Sequence, residues 1–250
     1  MKCCSVRFYA ELNDFLPAER RQVAFTCSFS GQPTIKDLVE SLGVPHTEVD
    51  LILQNGESVD FYRRVQNGDR ISVYPVFETI DLAPVLRVRP APLRKIRFVL
   101  DVHLGRLATY LRMAGFDALY NNEFRDDELV RISVSERRIL LTRDRGLLKR
   151  SEVTHGYYVR ATDPPAQLAE VLRRFDLFRA IQPFRRCLRC NETLEPVPKD
   201  EAADRLPPKV RESCAEFFRC RHCGRIYWKG THYKHMKSFL DQIQNLEGTR

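Results

Sequence analysis

Apolar and polar residues alternate in steps of two at SVRFYA (5–10) and again at QVAFTCSF (22–29), the rhythm of half-buried β-strands. TIKDLVESLGV (34–44) then repeats its apolar residues at helical spacing. Thr34 stands before it and Asp37 three places on, the spacing of a capping box. Strand signals return at VDLILQNG and, past Asn67-Gly68-Asp69, at RISVYPVF. Two strands, a helix and further strands make the order of a β-grasp, and fold alone does not give function. This module is expected over residues 1–80. TIDLAPVLRVRPAPLRK (79–95) carries Pro84, Pro90 and Pro92 without a clean period, so an extended linker is expected over 81–95.

From Ile96 the rhythm changes. IRFVLD, FDALYN, RILLT and GYYVR read as strands, and HLGRLATYLRMAG, DDELVRISVSER, RGLLKR and PPAQLAEVLRRF read as the helices between and after them. Such alternation over 96–180 predicts an α/β domain with a mostly parallel sheet, whose sites lie beyond the carboxyl ends of the strands. The stretch 181–250 shows little regular period and is rich in Arg, Cys, His and aromatics.

The acids fall on that rim. Asp101 ends the first strand of the second domain, Asp126 and Asp127 follow the second strand and open a helix, and Asp144 lies just past the third. An Asp before a helix is a preferred N-cap, so each has an ordinary structural reading. Together they are carboxylates that repel unless a cation holds them, and Mg²⁺ or Mn²⁺ suits such a set. Arg106 and Arg112 lie on the helix after Asp101, and Arg143 and Arg145 flank Asp144, cations suited to a phosphodiester or to pairing with the acids. His103 reads either as a proton shuttle or as a solvated side chain. Walker, dinucleotide and hydrolase-elbow motifs are absent.

Charge reinforces the division. Residues 1–93 hold ten Lys/Arg against twelve Asp/Glu, and residues 94–250 hold thirty-one against twenty-one, which points the second part toward a polyanion. No apolar run approaches a membrane span, and MKCCSVRFYAELND turns polar too early for a signal peptide, so a cytoplasmic protein is expected. Five of the eight cysteines crowd the C-terminal quarter. Cys187-Leu-Arg-Cys190 and Cys220-Arg-His-Cys223 are two hooks that can close a tetrahedral thiolate site for structural zinc, each followed by a residue tolerant of positive φ, Asn191 or Gly224. Cys214, His222, His232 and His235 are weaker ligand candidates. Around the hooks, Arg and Lys interleave with Phe, Tyr and Trp228, a surface able to hold phosphates and stack bases, though some of these aromatics must fill the ribbon's small core and Trp228 reads equally as core or as contact.

LDVHLGRLATYLRMAGFDA, DDEL, RILLTRDRGLLKR, the two C-x-x-C pairs and CGRIYWKGTHY together resemble the Mut-seven C-terminal RNase family. The resemblance implies a PIN-like, Rossmannoid nuclease domain with an appended zinc ribbon, preceded by a ubiquitin-like domain similar to sulfur carriers. It implies metal-dependent cleavage of RNA, with Asp101, Asp126 (or its neighbour Asp127) and Asp144 as the acidic set. Asp163 and Glu136 are candidates for a fourth acid. Arg143, Arg106 and Arg112 would bind substrate, and a structured RNA such as tRNA is the expected partner. The carriers need a free C-terminal Gly-Gly, whereas here YPVFETIDLAPVL runs on, so the first domain is expected to dock or to position RNA. A non-catalytic RNA-binding adaptor, and a sulfur-carrier-like regulator, are the rival readings.

Overall fold

A computed structural model describes residues 1–75 and 95–248, so the expected linker lies, apart from Lys95, outside the described residues. In chain order the elements are β1 (Lys2–Phe8), β2 (Phe25–Phe29), α1 (Ile35–Ser41), β3 (Leu51–Gln54), β4 (Glu57–Val59), β5 (Arg70–Tyr74), β6 (Arg97–Leu100), α2 (Gly105–Met113), β7 (Asp117–Leu119), α3 (Asp126–Ser135), β8 (Ile139–Thr142), α4 (Arg145–Leu148), β9 (Gly156–Tyr158), α5 (Pro164–Arg174), β10 (Leu194–Val197), α6 (Lys199–Ala202), α7 (Pro208–Ser213), β11 (Phe217–Cys220), β12 (Ile226–Trp228) and α8 (Thr231–Gln244). The chain forms two compact units, one of residues 1–95 with 126–158, the other of residues 96–125 with 159–250. No helix among the described residues is long and apolar enough to cross a membrane.

The first unit holds the β-grasp. Its sheet runs β2-β1-β5-β3-β4, with β1 antiparallel to β2 and parallel to β5. The period of two has its expected effect: Cys4, Val6 and Phe8 of β1 and Ile71 and Val73 of β5 point into one core, which Ile35, Leu38 and Val39 of α1 close from above. Thr34 and Asp37 form the capping box: the Asp37 amide donates to Thr34 Oγ1 (3.1 Å) and the Thr34 amide to Asp37 Oδ2 (2.9 Å). Asn55 and Gly56, at φ 55° and 93°, make the two-residue turn from β3 to β4.

One carboxylate ties these turns together. Asp69 accepts from Gln54 Nε2 (2.5 Å), the Gln66 amide (2.6 Å) and Asn55 Nδ2 (2.9 Å) and is 5% exposed. Burial pushes its carboxyl up, but these hydrogen bonds and Arg63 outweigh burial and hold it below the usual carboxylate range.

The same unit carries α3, β8, α4 and β9, with β8 and β9 parallel and all four residues of β8 buried. The β-grasp packs on them through the turn after α1. Glu48, 1% exposed, accepts from the Tyr158 amide (2.6 Å), and Lys149 Nζ donates to the Glu40 carbonyl (2.7 Å). His46 lies with its ring nitrogens 2.6 Å from Glu40 Oε1 and 2.8 Å from the Val153 carbonyl. Phe15 meets Tyr158 edge-on, and the Arg145 guanidinium lies over both rings. Arg145 is thus held by aromatics and the Phe15 carbonyl (3.4 Å).

In the second unit β6 and β7 are parallel and α2 packs on α5; Leu107 and Leu111 of α2 and Leu168 and Leu172 of α5 are all buried. Pro164 occupies the first turn of α5 and Asp163 caps it, accepting from the Ala166 amide (3.2 Å). Gly115 ends α2 at φ 100°, and a Cβ there would sit 2.2 Å from the Gln182 carbonyl oxygen. The ribbon is the antiparallel sheet β10-β11-β12. It is followed by α8, whose Phe239 and Tyr233 pack on Tyr110 and Phe184, ring centroids 4.8 and 4.5 Å apart. The apparent lack of period in 181–250 therefore does not hold for α8.

Because Asp69 is depressed in the folded state, its contribution is complete above the unfolded carboxyl value near pH ~4 and is lost as pH falls through the folded value. Asp69→Asn is expected to lower stability by about 2 kcal/mol at neutral pH. The gap to wild type should narrow as pH falls below ~4, read from urea unfolding followed by circular dichroism at several pH values.

Candidate functional site

The sulfurs of Cys187, Cys190, Cys220 and Cys223 all lie within 4.8 Å of one another, with Cys187 and Cys223 3.6 Å apart and Cys190 and Cys220 3.4 Å. A tetrahedral zinc with bonds of 2.3 Å places its sulfurs about 3.8 Å apart, so the cluster can hold zinc. Each hook turns on the residue expected to turn it. Asn191 (φ 70°) donates its amide to the Cys187 carbonyl (3.0 Å), and Gly224 (φ 71°) to that of Cys220 (2.8 Å). Cys214 and the histidines lie outside the cluster.

Burial pushes the Cys187 thiol up, but a hydrogen bond from the Tyr227 hydroxyl (3.1 Å) and the backbone amides of Cys190 and Arg189 bring it down to about 6. Burial first, then the neighbouring sulfurs of Cys220, Cys187 and Cys223, push Cys190 up to about 12, against the Glu192 amide. Four thiols so close cannot all ionise without a cation among them.

Beside this centre lies Arg112, 3% exposed. Its Nε donates to the Ala118 carbonyl (2.8 Å), Nη1 to the carbonyls of Arg189 (2.7 Å) and Leu188 (3.1 Å), and Nη2 toward that of Tyr120 (3.5 Å). Burial lowers its pKa, while Cys190, Cys187 and Asp117 favour its charged form. Asn191 completes the joint: its Oδ1 accepts from the Ala118 amide (2.9 Å), and its Nδ2 donates to Asp117 Oδ1 (2.7 Å). The side chain of a zinc knuckle thus pairs with the backbone of β7. Arg112 must therefore be corrected from a substrate-binding cation to the fastening of the ribbon onto the α/β framework. A guanidinium so buried, with four of its five donors directed at backbone carbonyls, is poorly placed to grip a phosphate.

The expected acids fall in both units. Asp101, buried at 6% exposure, directly follows β6, and its carbonyl accepts from the Leu104 amide (2.9 Å). Arg106, in the first turn of α2, is exposed. In the other unit, Asp126 and Asp127 occupy the first turn of α3, both exposed, and Asp127 pairs with Arg150 at 2.6 Å. Asp144 is the N-cap of α4: its Oδ1 accepts from the Gly146 amide (2.7 Å), while its own amide donates to Thr142 Oγ1 (2.9 Å). Arg143 beside it is half-buried, and His103 is exposed. Of the fourth-acid candidates, Asp163 caps α5 and Glu136 pairs with Arg138 at 2.7 Å.

The family model described as the Mut7-C RNAse domain matches residues 96–240, more than half of the chain, and the Mut7-C ubiquitin model matches residues 1–81. The chain belongs to the Mut7-C RNAse domain family. Membership gives it a nuclease-type function with RNA as the general substrate. No curated protein matches the chain significantly. Two crystal structures resemble part of it, "H. volcanii small archaeal modifier protein 1" (TM-score 0.26) and "SAMP1 from Haloferax volcanii" (TM-score 0.25). Each is 17% identical, and the match covers 31% of this chain and 100% or 99% of theirs.

Within this Mut7-C chain, the four zinc-ligand candidates are those the sequence singles out. What the sequence conceals is that a helix arginine, seventy-five residues before Cys187, secures the knuckle. Arg112→Lys keeps the charge but not the planar fork, leaving buried carbonyls unsatisfied. We expect the variant to release zinc to a chromogenic chelator on the order of tenfold faster than wild type.

Proposed function

We propose that this Mut7-C protein is a metal-dependent ribonuclease of the PIN-like kind, cleaving phosphodiester bonds of a structured RNA such as tRNA in the cytoplasm. Asp101, Asp126 and Asp144 would hold Mg²⁺ or Mn²⁺, and the zinc ribbon would hold RNA beyond the cut. The observation that carries the reading is Asp144. Only one of its carboxylate oxygens is used in capping α4, and the side chain is exposed just beyond a fully buried parallel strand. A cap fixes the carboxylate and leaves Oδ2 open, a sound arrangement for a ligand to a hard cation.

The donor set fits such a cation, being carboxylates in place of the thiolates of the ribbon. A bound Mg²⁺ or Mn²⁺ would activate water and neutralise charge developing on the phosphate. The remaining work falls to the chain. Arg106 and Arg143 would grip and orient the phosphate, without Arg112. Asp127, fixed by Arg150, leaves Asp126 as the acid of that pair to serve the site.

The cap at Asp144 is also what an RNA-binding adaptor without catalysis would show, and asparagine separates the two readings. Asn is a good N-cap, so Asp144→Asn should keep the fold and RNA affinity under either. We expect it to lower Mn²⁺-dependent cleavage of labelled small RNA by roughly 100-fold or more, as loss of several kcal/mol of charge stabilisation requires. EDTA should abolish cleavage by wild type. Cutting that survives both the substitution and EDTA would sink the proposal.

A further inference from the structure

The second unit contains a groove of about 460 Å³ that the acidic set does not explain. It is lined by Phe184, Leu188, Phe218, Trp228 and Tyr233, over Tyr227, with Arg185, Arg186 and Lys229 also in its wall. No acidic side chain lines it. The size is that of a small-molecule site, and the lining joins flat aromatic surface to positive charge.

We propose that this groove is a subsite for one unpaired nucleotide of an RNA strand, taking the base among Trp228, Phe184 and Tyr233 and the phosphate on Arg185. This deepens the ribonuclease reading and rests on it for the identity of the ligand as RNA.

Four observations support the assignment. The ring pair Phe184–Tyr233 is already assembled, with centroids 4.5 Å apart. Phe184 stands at φ 60°, an unfavourable backbone state for a bulky residue, and its amide is tied to the Met113 carbonyl (2.9 Å). Such strain persists where the surroundings enforce it, and it concentrates at ligand sites. The floor is braced by the metal centre, since the Tyr227 hydroxyl donates to Cys187 Sγ (3.1 Å) and accepts from the Leu188 amide (3.2 Å).

Among the cations the division of labour is clear. Arg186 is engaged with the Asn191 carbonyl (2.8 Å), and Lys229 with Glu216 (2.5 Å). Arg185 is exposed and, among the described residues, its guanidinium has no partner. An aromatic pocket beside an uncommitted guanidinium fits a base with its phosphate. An apolar peptide anchor would leave that charge unused.

Trp228 is the one tryptophan of the chain, so its fluorescence reports on the groove alone. The test uses the full chain carrying Asp144→Asn, so that RNA is not consumed, titrated with a single-stranded oligoribonucleotide, a blunt duplex of the same sequence, a mononucleotide and an acidic peptide of equal charge. Labelled RNA is followed in parallel by anisotropy. The single strand should quench Trp228, and the blunt duplex should do so far less. Phe184→Leu should weaken binding of the single strand roughly tenfold. Arg185→Ala should weaken it and reduce the salt slope by about one.

RNA binding by anisotropy with unchanged Trp228 emission, and with affinity indifferent to both substitutions, would overturn the subsite and leave the nuclease untouched. Quenching by the peptide and not by RNA would overturn it in favour of a protein partner. Quenching by the mononucleotide as strong as by the strand would overturn the strand in favour of a free nucleotide. Strand-specific quenching, alongside a wild type that does not cleave RNA with Mn²⁺ present, would uphold the groove while the nuclease reading fell.

Discussion

A single buried guanidinium, that of Arg112, joins the two halves of the second unit. It is a cation at 3% exposure, a costly placement unless its donors are matched, and it is matched by carbonyls of β7 and of the loop between Cys187 and Cys190. Its charge is balanced as well. Four thiolates on a divalent zinc carry a net negative charge, and the Cys187 and Cys190 sulfurs already favour the charged arginine. A zinc bound there would stabilise the cation that holds the knuckle, and the cation would stabilise the thiolates. Asn191 adds a second bond to the joint by standing in for a strand neighbour of Ala118. A zinc ribbon has too small a core to fold unaided by its metal. Here it also borrows the rigidity of a parallel strand pair.

The first unit solves a different problem by related means. α4 is only four residues long and β9 three, too little structure to fix the residues around Asp144 by themselves. The β-grasp supplies the missing contacts. Glu48 accepts from the backbone of Tyr158, Lys149 reaches Glu40, and Arg145 lies between Phe15 and Tyr158. The residue next to Asp144 is therefore held by the N-terminal domain. This gives the β-grasp a physical role without any chemistry at its C-terminus.

Local patterns were legible and long-range ones were not. The capping box of Thr34 and Asp37, the period of two in β1, the prolines opening α5 and the positive-φ residues after each cysteine pair all concern neighbours within a few residues. Propensity and spacing suffice for them. Arg112 looked like any helix arginine near an acid, because what distinguishes it is carbonyls brought to it by folding from seventy-odd residues away. In α8, Tyr233, Met236, Leu240 and Ile243 follow a helical spacing, but the cationic and histidine-rich first turn masks it in the sequence. The acids are individually ambiguous in the sequence, since a cap and a ligand require the same residue at the same place. Asp144 shows why that ambiguity is physical: its two oxygens can serve the two roles at once.

That duality extends to the metals. Four thiolates are soft donors that leave zinc no open position, and around Cys187 the Tyr227 hydroxyl and backbone amides favour the charged sulfur. The aspartates are hard donors, two of them exposed, better matched to a weakly held, partly hydrated cation. Because the donor types differ this sharply, under the proposed function zinc would go to the thiolates and Mg²⁺ or Mn²⁺ to the aspartates without any further selectivity device. The structural metal would then be bound permanently while the reactive one exchanged. A joint locked by Arg112 on one side and an aspartate with one oxygen left open on the other are the forms these two requirements take in side chains.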